Sequence, residues 1–213
     1  MDEFIYRFGV VPGIQGDSDL LALLENPTVL TVEAVPAGDD DTAATVVTTE
    51  THALYPVDAL AIVNVLKDTE TLVGIIPDLA IHETLCTSGS DMRKEWQRTE
   101  FRVLFFTFGT EYLIDVHYAI NGPEEYGSYW GMYESLDGKL AYQYGSWYFR
   151  NVSIRGRQYT YVRHFIRTGV NSRVPGLRMI IRSNAGKRVT TMIDAIYREA
   201  VRRYGNTPIA SMP

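Results

Sequence analysis

The sequence predicts an α+β fold in which a curved antiparallel β-sheet wraps around one long C-terminal helix. Five apolar, tyrosine-rich segments follow one another between Gln97 and Thr168, and short turn sequences separate them. This pattern is typical of an antiparallel meander. After Val174-Pro175-Gly176, apolar residues recur at helical spacing as far as about Arg203, which predicts a single long helix. A sheet wrapped around a helix often leaves a cavity, and a cavity suggests a ligand.

Four turns separate the five segments of the meander, and each turn contains glycine, as expected for antiparallel hairpins. The segments are Gln97–Thr107, Glu111–Ile120, Tyr126–Leu136, Lys139–Val152 and Arg157–Thr168. The turns between them are Phe108-Gly109-Thr110, Asn121-Gly122-Pro123, Asp137-Gly138 and Arg155-Gly156.

The C-terminal helix is amphipathic, with one face predicted to pack against the sheet. Gly186 interrupts it at a cost of roughly 1 kcal/mol relative to alanine. We favour close approach to a strand as the reason, and room for a ligand is the alternative. The apolar face consists of Leu177, Ile180, Ile181, Val189, Met192, Ile193, Ile196 and Ala200.

The beginning of the chain predicts a short helix and a hairpin. Residues 1–16 carry no clear pattern and are expected to form an arm. Asp17 is a good N-cap for a helix over Leu20–Leu24, which Asn26-Pro27 ends. Runs rich in Thr and Val then predict strands at Thr28–Val35 and Thr42–Leu54, joined by an exposed turn.

Two short helices and one more strand are predicted between this hairpin and the meander. Pro56 suits the first turn of a helix that ends at Lys67-Asp68. Thr69–Ile76 can form a second helix, which stops before Pro77, and Leu79–Thr87 predicts a strand.

Composition excludes some classes of protein. The chain has 213 residues, of which 46% are hydrophobic and 22% charged, as expected for a globular chain with one domain. The formal net charge of -6 disfavours nucleic acid as a partner. No run approaches the roughly 18 apolar residues of a membrane span, although transient membrane contact stays open. The oligomeric state cannot be predicted.

The N-terminus gives an expectation about the compartment. It opens with acidic Asp2 and Glu3 and has too short an apolar stretch for a signal peptide. We therefore expect a cytoplasmic protein. An exported or periplasmic protein trimmed of its signal peptide would look the same, so that alternative stays open.

No motif predicts a cofactor, a metal site or a catalytic residue. The single cysteine, Cys86, excludes an internal disulfide. Glycine-rich nucleotide loops and the Gly-x-Ser-x-Gly elbow are missing. His52, His82 and His117 are scattered singly, without the spacing of metal ligands.

The order of the elements, with certain residues, resembles the START-like helix-grip superfamily, which includes the Bet v 1-like, polyketide cyclase and lipid-transport proteins. Residues 55–60 leading into 65–68 are similar to the family's first helix, and Gly145-Ser146-Trp147-Tyr148 to its late GxW strand. Residues 157–163 resemble its last strand and Pro175–Val201 its gripping helix. The resemblance implies a helix-grip domain over residues 43–205, an N-terminal extension over 1–42 and a tail over 206–213.

Strand alternation and the gripping helix together predict which residues line the implied cavity. Around Trp130, Met132, Tyr142 and Tyr144 both faces are aromatic, so inward and outward positions are ambiguous. Such two-sided strands indicate a second layer outside the sheet, either the N-terminal extension or a partner chain. The predicted ligand-binding residues are Phe101, Val103, Phe105, Ile114, Val116, Tyr118, Trp130, Tyr144, Val162, His164, Ile181 and Met192.

Three functions are compatible with these observations. The first is binding of a small hydrophobic ligand such as a lipid, with or without carriage of that ligand, and without chemistry. The second is a cyclase or isomerase that uses the same cavity, with His164 or a Tyr–Asp pair as its acid–base candidate. The third is a protein-interaction module. A core histidine satisfied by a carbonyl or a tyrosine hydroxyl is the structural alternative for His164.

Overall fold

The computed structural model describes residues 17–36, 45–103, 106–120, 124–171 and 177–205. Within these ranges the side chains of residues 17–19, 101–103, 106–108, 119–120 and 177–183 are outside the description. The predicted arm over residues 1–16 and the turns at 37–41 and 121–123 also lie outside it.

The described residues form eight strands and four helices. The strands are β1 (Thr28–Pro36), β2 (Thr45–Tyr55), β3 (Leu79–Ser88), β4 (Met92–Val103), β5 (Phe106–Ile120), β6 (Glu125–Ser135), β7 (Leu140–Ile154) and β8 (Arg157–Val170). The helices are α1 (Asp17–Glu25), α2 (Ala59–Lys67), α3 (Thr69–Ile75) and α4 (Leu177–Tyr204).

All eight strands belong to one antiparallel sheet in the order β1-β2-β8-β7-β6-β5-β4-β3. Strands β4 to β8 form the predicted five-segment meander, and β3, predicted as a separate strand, extends it by pairing with β4, so that each strand pairs with the next along the chain. Strand β2 closes the other side by pairing with β8, with Thr49 opposite Ile166. The strands reach 15 residues, and long strands twist and bend, which gives the sheet a concave face. The predicted α+β helix-grip arrangement is confirmed.

Helix α4 lies in the concave face, where its apolar side packs into the main core. Ile193, Ile196 and Ala200 are each at most 3% exposed. Tyr55 on β2 stacks on Tyr197 with ring centroids 4.4 Å apart, and the Tyr55 hydroxyl donates a hydrogen bond to Asp194 Oδ1 at 2.9 Å. These contacts fix the rotation of the helix against the sheet.

Gly186 brings α4 close to the edge strand β1. A Cβ at this position would lie 2.6 Å from Leu30 Cδ2 and 3.3 Å from Val32 Cγ2. This is the close approach to a strand that we favoured for the glycine, and the glycine leaves no free space for a ligand there.

Helix α1 covers part of the outer face of the sheet and forms a second core. Leu20, Leu23 and Leu24 pack there against residues of β2, β7 and β8. The sheet residues of this second core are Leu54, Tyr148, Val152, Ile154 and Tyr161. The N-terminal segment therefore supplies a second layer outside this part of the sheet. The second core does not include Trp130, Met132, Tyr142 or Tyr144, so the explanation for the two-sided strands stays a prediction.

The predicted boundary between the first two segments of the meander is wrong. The turn expected at residues 108–110 lies inside β5, which pairs with β4 through Glu100 opposite Gly109 and Thr99 opposite Thr110. A hydrogen bond of 2.8 Å between the hydroxyls of Thr99 and Thr110 reinforces this pairing. The glycine at 109 thus belongs to a strand, and β4 extends to Val103, which is the register partner of Phe106 at the start of β5.

The start of α2 was also predicted too early. The helix begins at Ala59, because the Asp58 carboxylate accepts a hydrogen bond from the Leu60 amide at 2.8 Å and acts as N-cap. Pro56 precedes the helix instead of forming its first turn.

Candidate functional site: a cavity between the sheet and helix α4

A cavity of about 320 Å³ lies between the concave face of the sheet and helices α2, α3 and α4. Its wall is mostly apolar. Helix α2 contributes Leu66, helix α3 contributes Leu72, and Ile76 follows directly after α3. Helix α4 contributes Val189, Met192 and Ile196. The sheet contributes Ile114, Val116, Trp130, Trp147 and Ile166 among others. An apolar wall with a few polar groups is typical of sites for small organic ligands.

Trp130 reaches across the sheet because the neighbouring strand carries a glycine. Gly145 on β7 is the register partner of Trp130 on β6. A Cβ on Gly145 would lie 2.4 Å from both Trp130 Cζ2 and the carbonyl oxygen of Phe165. The glycine of the GxW motif therefore makes room for the indole that forms part of the cavity wall.

His164 is a buried, neutral histidine between two tryptophans. Its ring centroid lies 4.2 Å from that of Trp147 and 5.8 Å from that of Trp130. Burial, with a smaller contribution from the charge of Arg163, lowers the pKa of His164 to about 3. Its Nδ1 is buried without a hydrogen-bond partner among the described residues. The expected carbonyl or tyrosine partner is thus not found there.

A chain of hydrogen bonds crosses the cavity wall from β7 to β3. The Gln143 amide donates to the Tyr112 hydroxyl at 3.3 Å, and that hydroxyl donates to Gln97 Oε1 at 3.2 Å. The Gln97 amide donates to Glu95 Oε2 at 3.3 Å. His82 Nε2 lies 2.6 Å from the same carboxylate oxygen. All five residues line the cavity.

The ends of this chain are deeply buried. Glu95 is 2% exposed and His82 8% exposed. Glu95 Oε1 and His82 Nδ1 have no hydrogen-bond partner among the described residues. Buried polar atoms are nearly always hydrogen-bonded, so these two atoms have hydrogen-bonding capacity that the described residues leave unused.

A cation lies on the helix side of the same cavity. Arg188 lines the cavity from α4, and its Nε donates to Asp78 Oδ2 at 3.1 Å. Burial is the largest influence on Arg188 and lowers its pKa, while the charge of Asp78 opposes the shift.

The predicted ligand-binding residues are distributed between the cavity wall and other places. Val162 is buried in the main core, away from the cavity. The ring of Tyr144 lies on the outer face, 6.4 Å from that of Phe165. Phe105 and the side chains of Phe101, Val103 and Ile181 lie outside the described residues. Those that line the cavity are Ile114, Val116, Tyr118, Trp130, His164 and Met192.

The sequence reasoning missed the polar residues of β3 and β4, although a signal for them existed. It took Phe101 and Val103 as inward because Glu100 and Arg102 are charged. The same alternation, continued toward the start of the strand, makes Thr99, Gln97 and Glu95 inward as well. Because these residues are polar, they were not assigned to the face of the strand that lines the cavity. The position of His82 beside them follows only from the pairing of β3 with β4.

The structure resembles solved structures of one fold, although no family profile and no curated protein sequence matches the chain. Human StAR-related lipid transfer protein 5 is 8% identical with a TM-score of 0.66, covering 84% of each chain. A STAR-related lipid transfer protein fragment from Xanthomonas axonopodis is 13% identical with a TM-score of 0.61, covering 82% of this chain and 93% of the other. The Zhui aromatase/cyclase from Streptomyces sp. R1128 is 12% identical with a TM-score of 0.56, covering 77% and 99%.

At these identities the comparison shows the fold alone, and the fold is the START-like helix-grip fold that the sequence resembled. The solved structures include both lipid transfer domains and an aromatase/cyclase. In the part of the chain that the structure describes, no helix is long and apolar enough to cross a bilayer.

Proposed function

We propose that the protein binds a small hydrophobic ligand, such as a lipid, in the cavity between the sheet and α4, and that binding requires no chemistry. The apolar cavity of about 320 Å³ is the observation that carries this proposal. This volume is at the lower end of the roughly 300–1,000 Å³ typical of small-molecule sites. A compact or single-chain ligand fits it better than a two-chain phospholipid.

The state of His164 favours binding over acid–base catalysis by this residue. A general base works best when its pKa is near the working pH, whereas burial lowers the pKa of His164 to about 3. A neutral imidazole that stacks on Trp130 and lies tilted against Trp147 suits an aromatic wall with one hydrogen-bonding atom.

Native mass spectrometry of the purified protein, followed by organic extraction, tests the proposal with whatever ligand it carries. We expect a bound hydrophobic molecule at one per chain. Titration with decanol should then change the tryptophan fluorescence, because Trp130 and Trp147 line the cavity.

Trp96 provides the matched control for the fluorescence titration. Its indole donates to Glu111 Oε1 at 3.0 Å, and it is not among the residues lining the cavity. The Trp96→Phe variant should keep the decanol-dependent change, and Trp147→Phe should lose a large part of it. A change that disappears in Trp96→Phe and persists in Trp147→Phe would place binding elsewhere and contradict the proposal.

A further inference from the structure

We propose that the cavity contains a hydroxyl-recognition site at Glu95, so that the ligand is an uncharged apolar molecule carrying a hydroxyl group that donates to Glu95 Oε1. This inference rests on the proposed function and narrows it to a ligand class. Its basis is the buried chain of hydrogen bonds that converges on one oxygen of this carboxylate, while the other oxygen has no partner among the described residues.

The backbone register brings Glu95, His82 and Gln97 together at one end of the cavity. His82 on β3 lies directly opposite Gln97 on β4, and Glu95 is two residues from Gln97, on the same face of the strand. Strand β3 is an edge of the sheet. The group is nevertheless enclosed, with 2% of Glu95 and 8% of His82 exposed.

The donors of the chain run in one direction. Gln97 Oε1 accepts from the Tyr112 hydroxyl, which orients the Gln97 amide nitrogen toward Glu95 Oε2. His82 Nε2 lies 2.6 Å from that oxygen and 3.2 Å from the Gln97 amide nitrogen. In the tautomer that carries the proton on Nε2, the imidazole donates to the carboxylate. Burial raises the pKa of Tyr112, so its hydroxyl stays protonated and remains a donor.

Two donors therefore reach Oε2, and none among the described residues reaches Oε1. A carboxylate oxygen can only accept hydrogen bonds, and an unpaired buried acceptor is costly. A ligand group that meets this oxygen must donate, as a hydroxyl does. An ether or an alkyl chain cannot.

The charges around the cavity favour an uncharged donor over an ammonium group. Glu95 and Arg188 both line the cavity, and both charges act on the pKa of Tyr112, which Glu95 raises and Arg188 lowers. The negative charge of Glu95 repels an anionic ligand, and the positive charge of Arg188 repels a cationic ligand. A neutral hydroxyl avoids both repulsions and keeps a charge-assisted hydrogen bond, which is stronger than a neutral one.

The test compares four ten-carbon probes on the wild-type protein: decanol, decyl methyl ether, decanoate and decylamine, each displacing an uncharged apolar fluorophore. Decanol should bind about tenfold more tightly than the ether, since only decanol can donate to the carboxylate. Equal affinities for decanol and the ether overturn the inference, as does tightest binding by decanoate or decylamine.

A pair of variants assigns the effect to Glu95. In Glu95→Gln the preference for decanol over the ether should fall below about threefold, because the position of Oε1 is taken by an amide N–H that donates. Glu83→Gln, on an exposed residue of β3, should keep the wild-type preference. An unchanged preference in Glu95→Gln overturns the assignment.

The wild-type comparison remains decisive if Glu95→Gln does not fold, because it needs no variant.

Different results contradict the proposed function and the hydroxyl-recognition site. If the apolar fluorophore does not bind, the proposed function fails. If the fluorophore binds and decanol and the ether compete equally, only the hydroxyl site fails.

Discussion

The imidazole of His164 lies against the indole of Trp147, with ring centroids 4.2 Å apart and the ring planes inclined by 50°. His164 is 2% exposed, and burial lowers its pKa to about 3. The contact therefore holds a neutral aromatic ring whose Nδ1 has no hydrogen-bond partner among the described residues. Protonation would require this wall of the cavity to accept a buried charge.

Replacement of His164 by glutamine should change how stability depends on pH. The folded pKa of about 3 lies below the ordinary value of 6.5, so the unfolded chain binds a proton here that the folded chain does not. Stability should therefore fall as pH decreases from about 6.5, by up to about 1.4 kcal/mol per pH unit from this residue. His164→Gln should lose this part of the slope between pH 6.5 and 5, as measured by urea unfolding.

His117→Gln is the matched control for this measurement. His117 stacks on Tyr129 with ring centroids 4.8 Å apart, on the face opposite Val116 and the cavity. Between pH 6.5 and 5, the unfolding free energy of His117→Gln should fall as steeply as that of the wild type, and more steeply than that of His164→Gln. Identical slopes for wild type and His164→Gln would mean that His164 titrates normally in the folded protein.

Replacement of Gly145 by alanine should destabilise the protein and disturb the cavity wall. The added Cβ would lie 2.4 Å from the Phe165 carbonyl oxygen, a backbone atom that cannot simply rotate away, and equally close to Trp130. Overpacking of this kind typically costs about 1–3 kcal/mol. Urea unfolding gives the free energy, and the emission maximum of Trp130 reports its displacement.

Gly131→Ala tests whether any glycine in this part of the sheet has the same effect. A Cβ on Gly131 meets nothing within 4 Å, and its register partner is Tyr144 on the outer face. This variant should stay within about 0.5 kcal/mol of wild type. Equal destabilisation by the two substitutions would refute the steric explanation for Gly145.

Truncation of Leu23 should show that α1 is an integral layer. Leu23 is 4% exposed in the outer core, and burial of this kind makes a leucine-to-alanine change cost about 2–5 kcal/mol. Leu21 in the same helix is 44% exposed, so Leu21→Ala should cost less than about 0.5 kcal/mol. Thermal unfolding of both variants separates the two cases, and equal midpoints would show that α1 does not pack stably.

Much of the fold could be predicted because each element carries a local signal. The Thr- and Val-rich hairpin, the short helices around Asp68 and the amphipathic helix ending near Arg203 all appear where local pattern placed them. The prediction failed at Gly109, where a local glycine signal was outweighed by pairing with Glu100 on the neighbouring strand. The pairing of two strands depends on tertiary structure, so the presence of a glycine at position 109 does not indicate whether that residue lies in a turn or in a strand.

The candidate site was harder to predict than the fold. Apolar positions such as Ile114 and Val116 follow from alternation beside Asp115. The contact of His82 with Glu95 depends on the register between β3 and β4, which includes two shifts along its length. The fit of Trp130 over Gly145 likewise depends on two strands being side by side, so sequence alone could not connect these residues.

The most direct test of ligand binding in the cavity is a titration of the wild-type protein and a cavity-filling variant with an uncharged apolar fluorophore. Ala185 lines the cavity from α4, and Ala80 on β3 is exposed, so Ala185→Phe and Ala80→Phe form a matched pair. We predict saturable binding at one site, retained in Ala80→Phe and weakened at least tenfold in Ala185→Phe. Absence of binding to the wild type, or equal binding by a folded Ala185→Phe, would contradict the proposal.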